Sequence, residues 1–178
     1  MTINRKNVRS LCKFLFILHP LQKNTTLVLG IGNILMKDEG VGIRVINRLE
    51  KEGCEGADLL DGGTGGFHLL DTLQSYTAVI IVDASLDAFP AGHVRVLRPH
   101  YAEDFPKQLS AHEIGLRDLI DSARVLGCLP EIYLVAVSVK EFREIGMDLS
   151  PEAESAIPEA IQCIHTIIHS LLSPKSMP

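Results

Sequence analysis

Two acidic residues follow a glycine turn near the start of the chain, where many α/β proteins bind phosphate. The stretch TLVLGIGNILMKDEGVGIRVINRLE, from Thr26 to Glu50, predicts an apolar strand, two glycines and an amphipathic helix that begins at Asp38 and Glu39. Helix amino ends favour anions because backbone N–H groups and the helix dipole point toward them. Since the chain places its own carboxylates here, the turn disfavours phosphate and suits a metal cation.

Two further side chains can join this acidic pair. Asp83 ends the apolar run VIIVD, and His112 precedes a predicted helix in the segment SAHEIG. Ligands of open α/β sheets bind beyond the carboxyl ends of the strands, where the strand order reverses. If the first and third strands are neighbours there, Glu39 and Asp83 converge on one crevice and His112 passes near its rim. Each residue alone also has a structural explanation, as a helix-capping charge, a turn residue or a surface histidine.

Two carboxylates and an imidazole form a mixed oxygen and nitrogen ligand set. Calcium prefers six or more oxygens, so the imidazole favours a first-row transition metal such as nickel, zinc or iron. Three protein ligands leave coordination positions open, as in catalytic sites. The joint placement therefore predicts an open metal site at Glu39, Asp83 and His112.

A second candidate site is the loop DGGTGG, here called the glycine loop. It lacks the GxxxxGK[ST] pattern of mononucleotide sites, and GIGNIL lacks the third glycine of the dinucleotide pattern. We expect a mobile backbone edge that holds an extended peptide by main-chain hydrogen bonds, with a tight strand-to-helix turn as the alternative. Its residues are Asp61, Gly62, Gly63, Thr64, Gly65 and Gly66.

Other catalytic patterns are weak. The sequence has no Gly-x-Ser-x-Gly elbow and no cysteine with an obvious base partner, which disfavours serine and cysteine hydrolases. His165 and His169 are spaced i,i+4 on the last predicted helix but lack the intervening Glu of HExxH, so a solvated helix face is expected.

Predicted strands and predicted helices alternate along the chain and position these residues. The link at 84–92 is too short for a crossover helix, so the strand after it is expected to be antiparallel and near an edge. The pattern predicts a mostly parallel, twisted five-stranded sheet with helices on both faces, and Ser150 as the N-cap of the last helix. The predicted strands are 26–31, 57–61, 77–83, 93–98 and 131–139, and the predicted helices are 39–51, 66–73, 113–126 and 151–172.

Length, composition and net charge limit the kinds of partner that the chain is expected to have. The chain has 178 residues, 46% of them apolar, which suits one α/β domain. The net charge is -5 and basic residues do not cluster, so nucleic acid is not an expected partner. Scattered cysteines without zinc-type spacing are typical of a reducing cytoplasm. They are Cys12, Cys54, Cys128 and Cys163.

The first 24 residues combine basic residues with a short apolar run, as a signal peptide does. Arg5, Lys6 and Arg9 precede the apolar run LCKFLFIL, but Lys13 interrupts that run and no cleavage site follows. Neither secretion nor membrane insertion is expected. We expect an N-terminal arm or extension over 1–24, one domain over 25–173 and a tail over 174–178. An extra surface helix and an upstream start codon are the alternatives for the first segment.

Four ordered motifs carry a family resemblance. GIGNILMKDEGVGIRV, LLDGGTGGFHLLD, IIVDA and SAHEIGLRDLI resemble the successive motifs of the hydrogenase maturation endopeptidases. Those proteases process the large subunit of nickel-iron hydrogenases. The resemblance runs from Leu27 to about Leu172, and the N-terminal arm departs from it.

The resemblance implies a specific activity. Family members bind nickel through residues that correspond to Glu39, Asp83 and His112, and remove a C-terminal extension from the large-subunit precursor after nickel insertion. The nickel is expected to come from the precursor's own active site, and zinc or cadmium can replace it in crystals. The glycine loop corresponds to a substrate-recognition segment. The role of Asp38, including a contribution to catalysis, stays open.

Two other functions remain compatible with the sequence. One is a noncatalytic chaperone that senses nickel in the precursor while another enzyme cuts it. The other is a nucleotide-binding α/β module that uses the glycine-rich turns.

Overall fold

The computed structural model describes residues 25–99, 113–127, 129–142 and 144–173, with only the backbone described for 113–117. The predicted arm over 1–24, the tail over 174–178 and His112 lie outside the described residues. The described ranges contain five strands, four α-helices and two 3₁₀ helices.

Five strands form one sheet in the order β2-β1-β3-β5-β4. Strands β1, β2, β3 and β5 are parallel, and β4 pairs antiparallel with β5 at one edge. The predicted sheet and its antiparallel edge strand are thereby confirmed. The strands are β1 (Thr26–Gly30), β2 (Asp58–Asp61), β3 (Ala78–Ser85), β4 (Val94–Leu97) and β5 (Glu131–Ser138).

Helices cover both faces of the sheet, with α4 beginning and ending as predicted. The chain between β1 and α1 first forms a 3₁₀ helix at Lys37–Gly40, in which the Glu39 N–H donates to Met36 O at 3.1 Å. A second 3₁₀ helix, Phe67–Leu69, likewise precedes α2. The two predicted helices therefore each begin with a tighter turn. The helices are α1 (Val41–Glu52), α2 (Leu70–Gln74), α3 (Glu113–Val125) and α4 (Pro151–Leu172).

Strand β3 is the centre of the core, and all eight of its residues are buried. Ile80 and Val82 pack in the cluster shared with α1 and α4, whereas Val79 and Ile81 pack in the cluster shared with α2 and α3. Successive side chains of a strand point to opposite faces. Asp83 therefore shares the α2 and α3 face with Ile81.

The link between β3 and β4 is held by a partly buried carboxylate. Asp87 accepts hydrogen bonds from Phe89 N at 3.0 Å and Ser138 Oγ at 2.9 Å, and pairs with Arg95. Burial opposes the charge of Asp87, but the hydrogen bonds and the guanidinium outweigh it and lower the pKa of the carboxyl group. The ionised form is thus the one that stabilises this link.

The lowered pKa predicts an acid-sensitive contribution to stability. Because the folded-state pKa lies below the unfolded-state value, the contribution of Asp87 is complete above roughly pH 4 and disappears as the pH falls through the folded-state pKa. Asp87→Asn should lower the free energy of unfolding at pH 7 by about 2 kcal/mol. Urea unfolding followed by circular dichroism at several pH values measures this effect.

The exposed Asp121 of α3 provides the control for Asp87, since Asp121→Asn also removes one negative charge. The stability difference between Asp87→Asn and the wild type should shrink between pH 5 and pH 2.5, whereas Asp121→Asn should follow the wild type. A difference that stays constant across this range would contradict the assignment.

Candidate metal site

Two buried carboxylates lie at the edge of the sheet where the strand order reverses. Gly30, the last residue of β1, is in register with Val82, so Asp83 comes one residue beyond the end of β1. Glu39 is in the first 3₁₀ helix, which packs against β3. The side chains of Glu39 and Asp83 are each only 1% exposed. The structure thus brings these two sequence-predicted residues to one edge.

Glycine contacts explain how the helix start comes so close to the strand ends. A Cβ atom on Gly42 would lie closer than 3.0 Å to the carbonyl oxygens of Ile31 and Val82. A Cβ atom on Gly32, whose φ is +146°, would lie closer than 3.0 Å to the carbonyl oxygen of Glu39. The backbone that carries Glu39 therefore rests directly on the backbone of the glycine turn and the sheet.

Asp38 has a different set of contacts from its neighbour. Its Oδ1 accepts from Ser150 N at 2.6 Å, and its Oδ2 accepts from Ser150 Oγ at 2.8 Å. Ser150 is the N-cap of α4, as predicted. Sequence patterns identified Ser150 as a helix cap but carried no signal for its contact with Asp38, which lies 112 residues away in the chain.

Glu39 and Asp83 are both carboxylates, and both are buried. Asp83 Oδ1 accepts from Ala84 N at 2.8 Å, so part of its hydrogen-bonding capacity is met by the backbone. Buried carboxylates are costly unless hydrogen bonds, ion pairs or a metal compensate them. A divalent cation bound by Glu39 and Asp83 would supply that compensation with the oxygen ligands it needs.

The described side chains do not by themselves form a three-ligand metal site. Across the ranges that the structure describes, no group of three His, Cys, Asp or Glu is placed to hold a metal ion. Glu39 and Asp83 offer two carboxylates, and His112 lies outside the described residues.

The orientation of helix α3 follows from its connection to β5 and its contacts. His112 itself is outside the described residues, and α3 begins at the next residue and has 13 residues. A helix of that length spans about 20 Å. Its last residue is joined by a short link to the first residue of β5, which lies at the end of the sheet opposite to Asp83. The helix also packs against the second 3₁₀ helix, which follows β2. The first turn of α3 is therefore directed toward the edge that holds Asp83.

The glycine loop lies beside the glycine turn after β1. Gly62 N donates to Gly30 O at 2.9 Å, and Gly32 N donates to Gly63 O at 2.8 Å. The Asp61 carboxylate accepts from Gly63 N at 2.8 Å and closes the start of the loop. The loop is a tight strand-to-helix turn that also borders the segment leading to Glu39.

Other candidate chemistry is weaker in the described residues. Burial raises the pKa of the Cys54 and Cys163 thiols, which keeps them protonated near neutral pH. His165 and His169 line a shallow groove along α4. None of the described helices combines the length and apolar character that a bilayer crossing requires.

Comparison with known proteins gives a consistent result. The family model described as hydrogenase maturation protease (HycI) matches residues 43–167. The hydrogenase expression/formation protein HupD of Rhodobacter capsulatus is 35% identical over 145 residues, which are 76% of this chain and 69% of that protein. The hydrogenase 2 maturation protease of Escherichia coli strain K12 is 33% identical over 140 residues, which are 76% of this chain and 85% of that protein.

A solved structure agrees with these sequence relatives. The hydrogenase maturating endopeptidase HybD from E. coli superposes with a TM-score of 0.75 at 31% identity, over 83% of this chain and 93% of that chain. The chain therefore belongs to the hydrogenase maturation protease family and is a peptidase by that membership.

Proposed function

We propose that this protein is a cytoplasmic endopeptidase that removes the C-terminal extension of a nickel-iron hydrogenase large-subunit precursor after nickel insertion. The observation that carries the proposal is the burial of Glu39 and Asp83, each 1% exposed, at one edge of the sheet. Within a maturation protease family, that pair is suited to recognising a metal ion on a protein substrate.

The two carboxylates account for selectivity toward the nickel-loaded precursor. Two buried negative charges at one edge repel each other, and a divalent cation between them removes that repulsion. His112 supplies the nitrogen ligand, so three protein ligands leave positions for groups of the precursor. A precursor without nickel offers no cation, so its cleavage segment gains no anchor at the site.

Nickel held by these residues would supply a Lewis acid that could polarise the scissile carbonyl or activate a water molecule. Glu39 and Asp83 hold the precursor at the metal, and either carboxylate can accept a proton during attack on the peptide bond. The glycine loop holds the extended segment through main-chain hydrogen bonds. Zinc and cadmium suit the same ligands and are expected as substitutes for nickel in crystals.

Cleavage of purified precursor tests the function. The protein is mixed with nickel-loaded and with nickel-free large-subunit precursor, and the C-terminus is determined by mass spectrometry. We expect loss of the extension only from the nickel-loaded form. Equal cleavage of both forms would contradict nickel recognition.

The same assay separates the alternatives. A noncatalytic chaperone would bind the loaded precursor, as measured by co-elution, and leave its C-terminus intact. A nucleotide-binding module would bind nucleotides rather than Ni²⁺ in a calorimetric titration. Either outcome would overturn the proposed peptidase activity.

A further inference from the structure

Residues 144–150, here called the strap, hold the segment that leads to Glu39. Gly146 N donates to Leu35 O at 2.9 Å, and Lys37 N donates to Gly146 O at 2.8 Å. The Lys37 ammonium also pairs with Glu144. The first 3₁₀ helix and the segment before it are therefore held by the strap as well as by the contact of the helix with β3.

Asp38 makes the buried contact between this helix and the end of the strap. Its residue is 8% exposed, and both of its carboxylate oxygens accept hydrogen bonds from Ser150. Ser150 Oγ in turn accepts from Ala153 N at 3.2 Å in the first turn of α4. One hydroxyl group therefore donates to Asp38 and caps α4 at the same time.

These contacts restrict the direction of the neighbouring side chain. Asp38 and Glu39 are consecutive residues of one short helix, so fixing both oxygens of Asp38 restricts rotation of the turn that carries Glu39. On the other side, Gly32 lies against the Glu39 carbonyl, where no side chain fits. A shift of about 1 Å in a catalytic group can reduce the rate about a hundredfold.

We propose that Asp38 is a positioning residue that sets the Glu39 carboxylate by its paired hydrogen bonds to Ser150. It acts through Glu39 and is itself neither a nickel ligand nor a catalytic residue. This inference rests on the proposed function, because Glu39 is taken as a ligand of the precursor's nickel.

Kinetics of Asp38→Ala, Ser150→Ala and the double variant on nickel-loaded precursor test the proposal. All reactions are run at a temperature where circular dichroism shows each variant to be folded. We expect each single variant to lower kcat by about 10-fold to 100-fold and to raise KM, because the Glu39 carboxylate also anchors the precursor through its nickel. The double variant should be no slower than Asp38→Ala, because Ser150→Ala removes one of the two hydrogen bonds that Asp38→Ala removes. Ser150→Thr keeps the hydroxyl group and should restore most of the rate.

A matched control separates positioning from simple loss of stability. Ala160→Gly weakens α4 at a buried position without touching Asp38, and should keep the wild-type kcat. Titration of the protein alone with Ni²⁺ gives a second measurement, in which Asp38→Ala should weaken binding at least fivefold and Ala160→Gly should not.

Three outcomes would overturn the inference. They are a kcat for Asp38→Ala equal to that of Ala160→Gly, independent losses that multiply in the double variant, and unchanged Ni²⁺ affinity in Asp38→Ala. Failure of the wild type to cleave the loaded precursor would instead refute the proposed function, and Ni²⁺ affinity would still decide whether Asp38 positions the site. A wild type that neither cleaves nor binds Ni²⁺ would overturn both.

Discussion

Asp83→Asn is expected to abolish processing of the nickel-loaded precursor while the protein remains folded. Asparagine has nearly the same shape and keeps a carbonyl oxygen for the Ala84 N–H, which donates to Asp83 at 2.8 Å. It removes the negative charge that would bind the cation. We expect kcat/KM to fall at least about a thousandfold, which corresponds to about 4 kcal/mol of transition-state stabilisation.

The stability of the same variant should behave in the opposite way. Asp83 is 1% exposed, and neutralising a buried carboxylate without changing its shape removes the cost of keeping that charge out of water. The free energy of unfolding should stay the same or rise by about 1 kcal/mol, as is common when a charged functional residue is neutralised. Thermal unfolding followed by circular dichroism measures this change.

The other two proposed ligands and one control complete the experiment. Glu39→Gln and His112→Ala should cause losses similar to that of Asp83→Asn. Glu50→Gln removes a carboxylate from an exposed position of α1 and should process the precursor at the wild-type rate. Wild-type rates in all three ligand variants would refute the proposed site.

Gly42→Ala is expected to destabilise the protein strongly, although alanine is the better helix former. In an ordinary helix this substitution stabilises by about 1 kcal/mol. Here the added Cβ atom would lie closer than 3.0 Å to two carbonyl oxygens, those of Ile31 and Val82. Overpacking against backbone has no flexible group that can move aside, so we expect a net loss of about 3 kcal/mol and strongly reduced processing.

Loss of stability in Gly42→Ala would indicate close packing, because helix propensity alone would raise the stability. Gly53 provides the control. Gly53 has a φ of +88°, and a Cβ atom there meets nothing within 4 Å. Gly53→Ala should therefore cost only the backbone strain of about 1 to 2 kcal/mol and leave the processing rate of the folded protein unchanged. Urea unfolding and the precursor assay measure both variants. A Gly42→Ala protein that is as stable as the wild type would contradict the close packing of α1 on the sheet.

Local sequence signals were sufficient for most of the fold. The unbroken apolar run at 79–82 identified the central strand, because a strand covered on both faces needs apolar residues at successive positions. Ser150 followed by Pro151 identified the start of α4, since capping and proline preferences act within one turn. The short link before β4 identified the antiparallel edge strand.

The different contacts of Asp38 and Glu39 could not be predicted from local sequence signals. Two adjacent carboxylates look equivalent in a sequence, and both suit the start of a helix. Only tertiary packing shows that Asp38 is bound by Ser150 while Glu39 lies at the edge beside β3. The 3₁₀ helix that carries both residues was also missed, because its first residue is held by a hydrogen bond from Lys37 N to Gly146 O, which is distant in the sequence.

The contact between Asp38 and Ser150 has a consequence for the order of folding. It joins residues 112 positions apart, and contacts of such long range form slowly because a large loop has to close first. The sheet can pair its central strands earlier, before this contact is made. We therefore expect amide protons of β3 to gain protection from hydrogen exchange before that of Ser150 during refolding. The peptidase would then acquire its working geometry only in the last step of folding, and a partly folded chain would leave the precursor uncut.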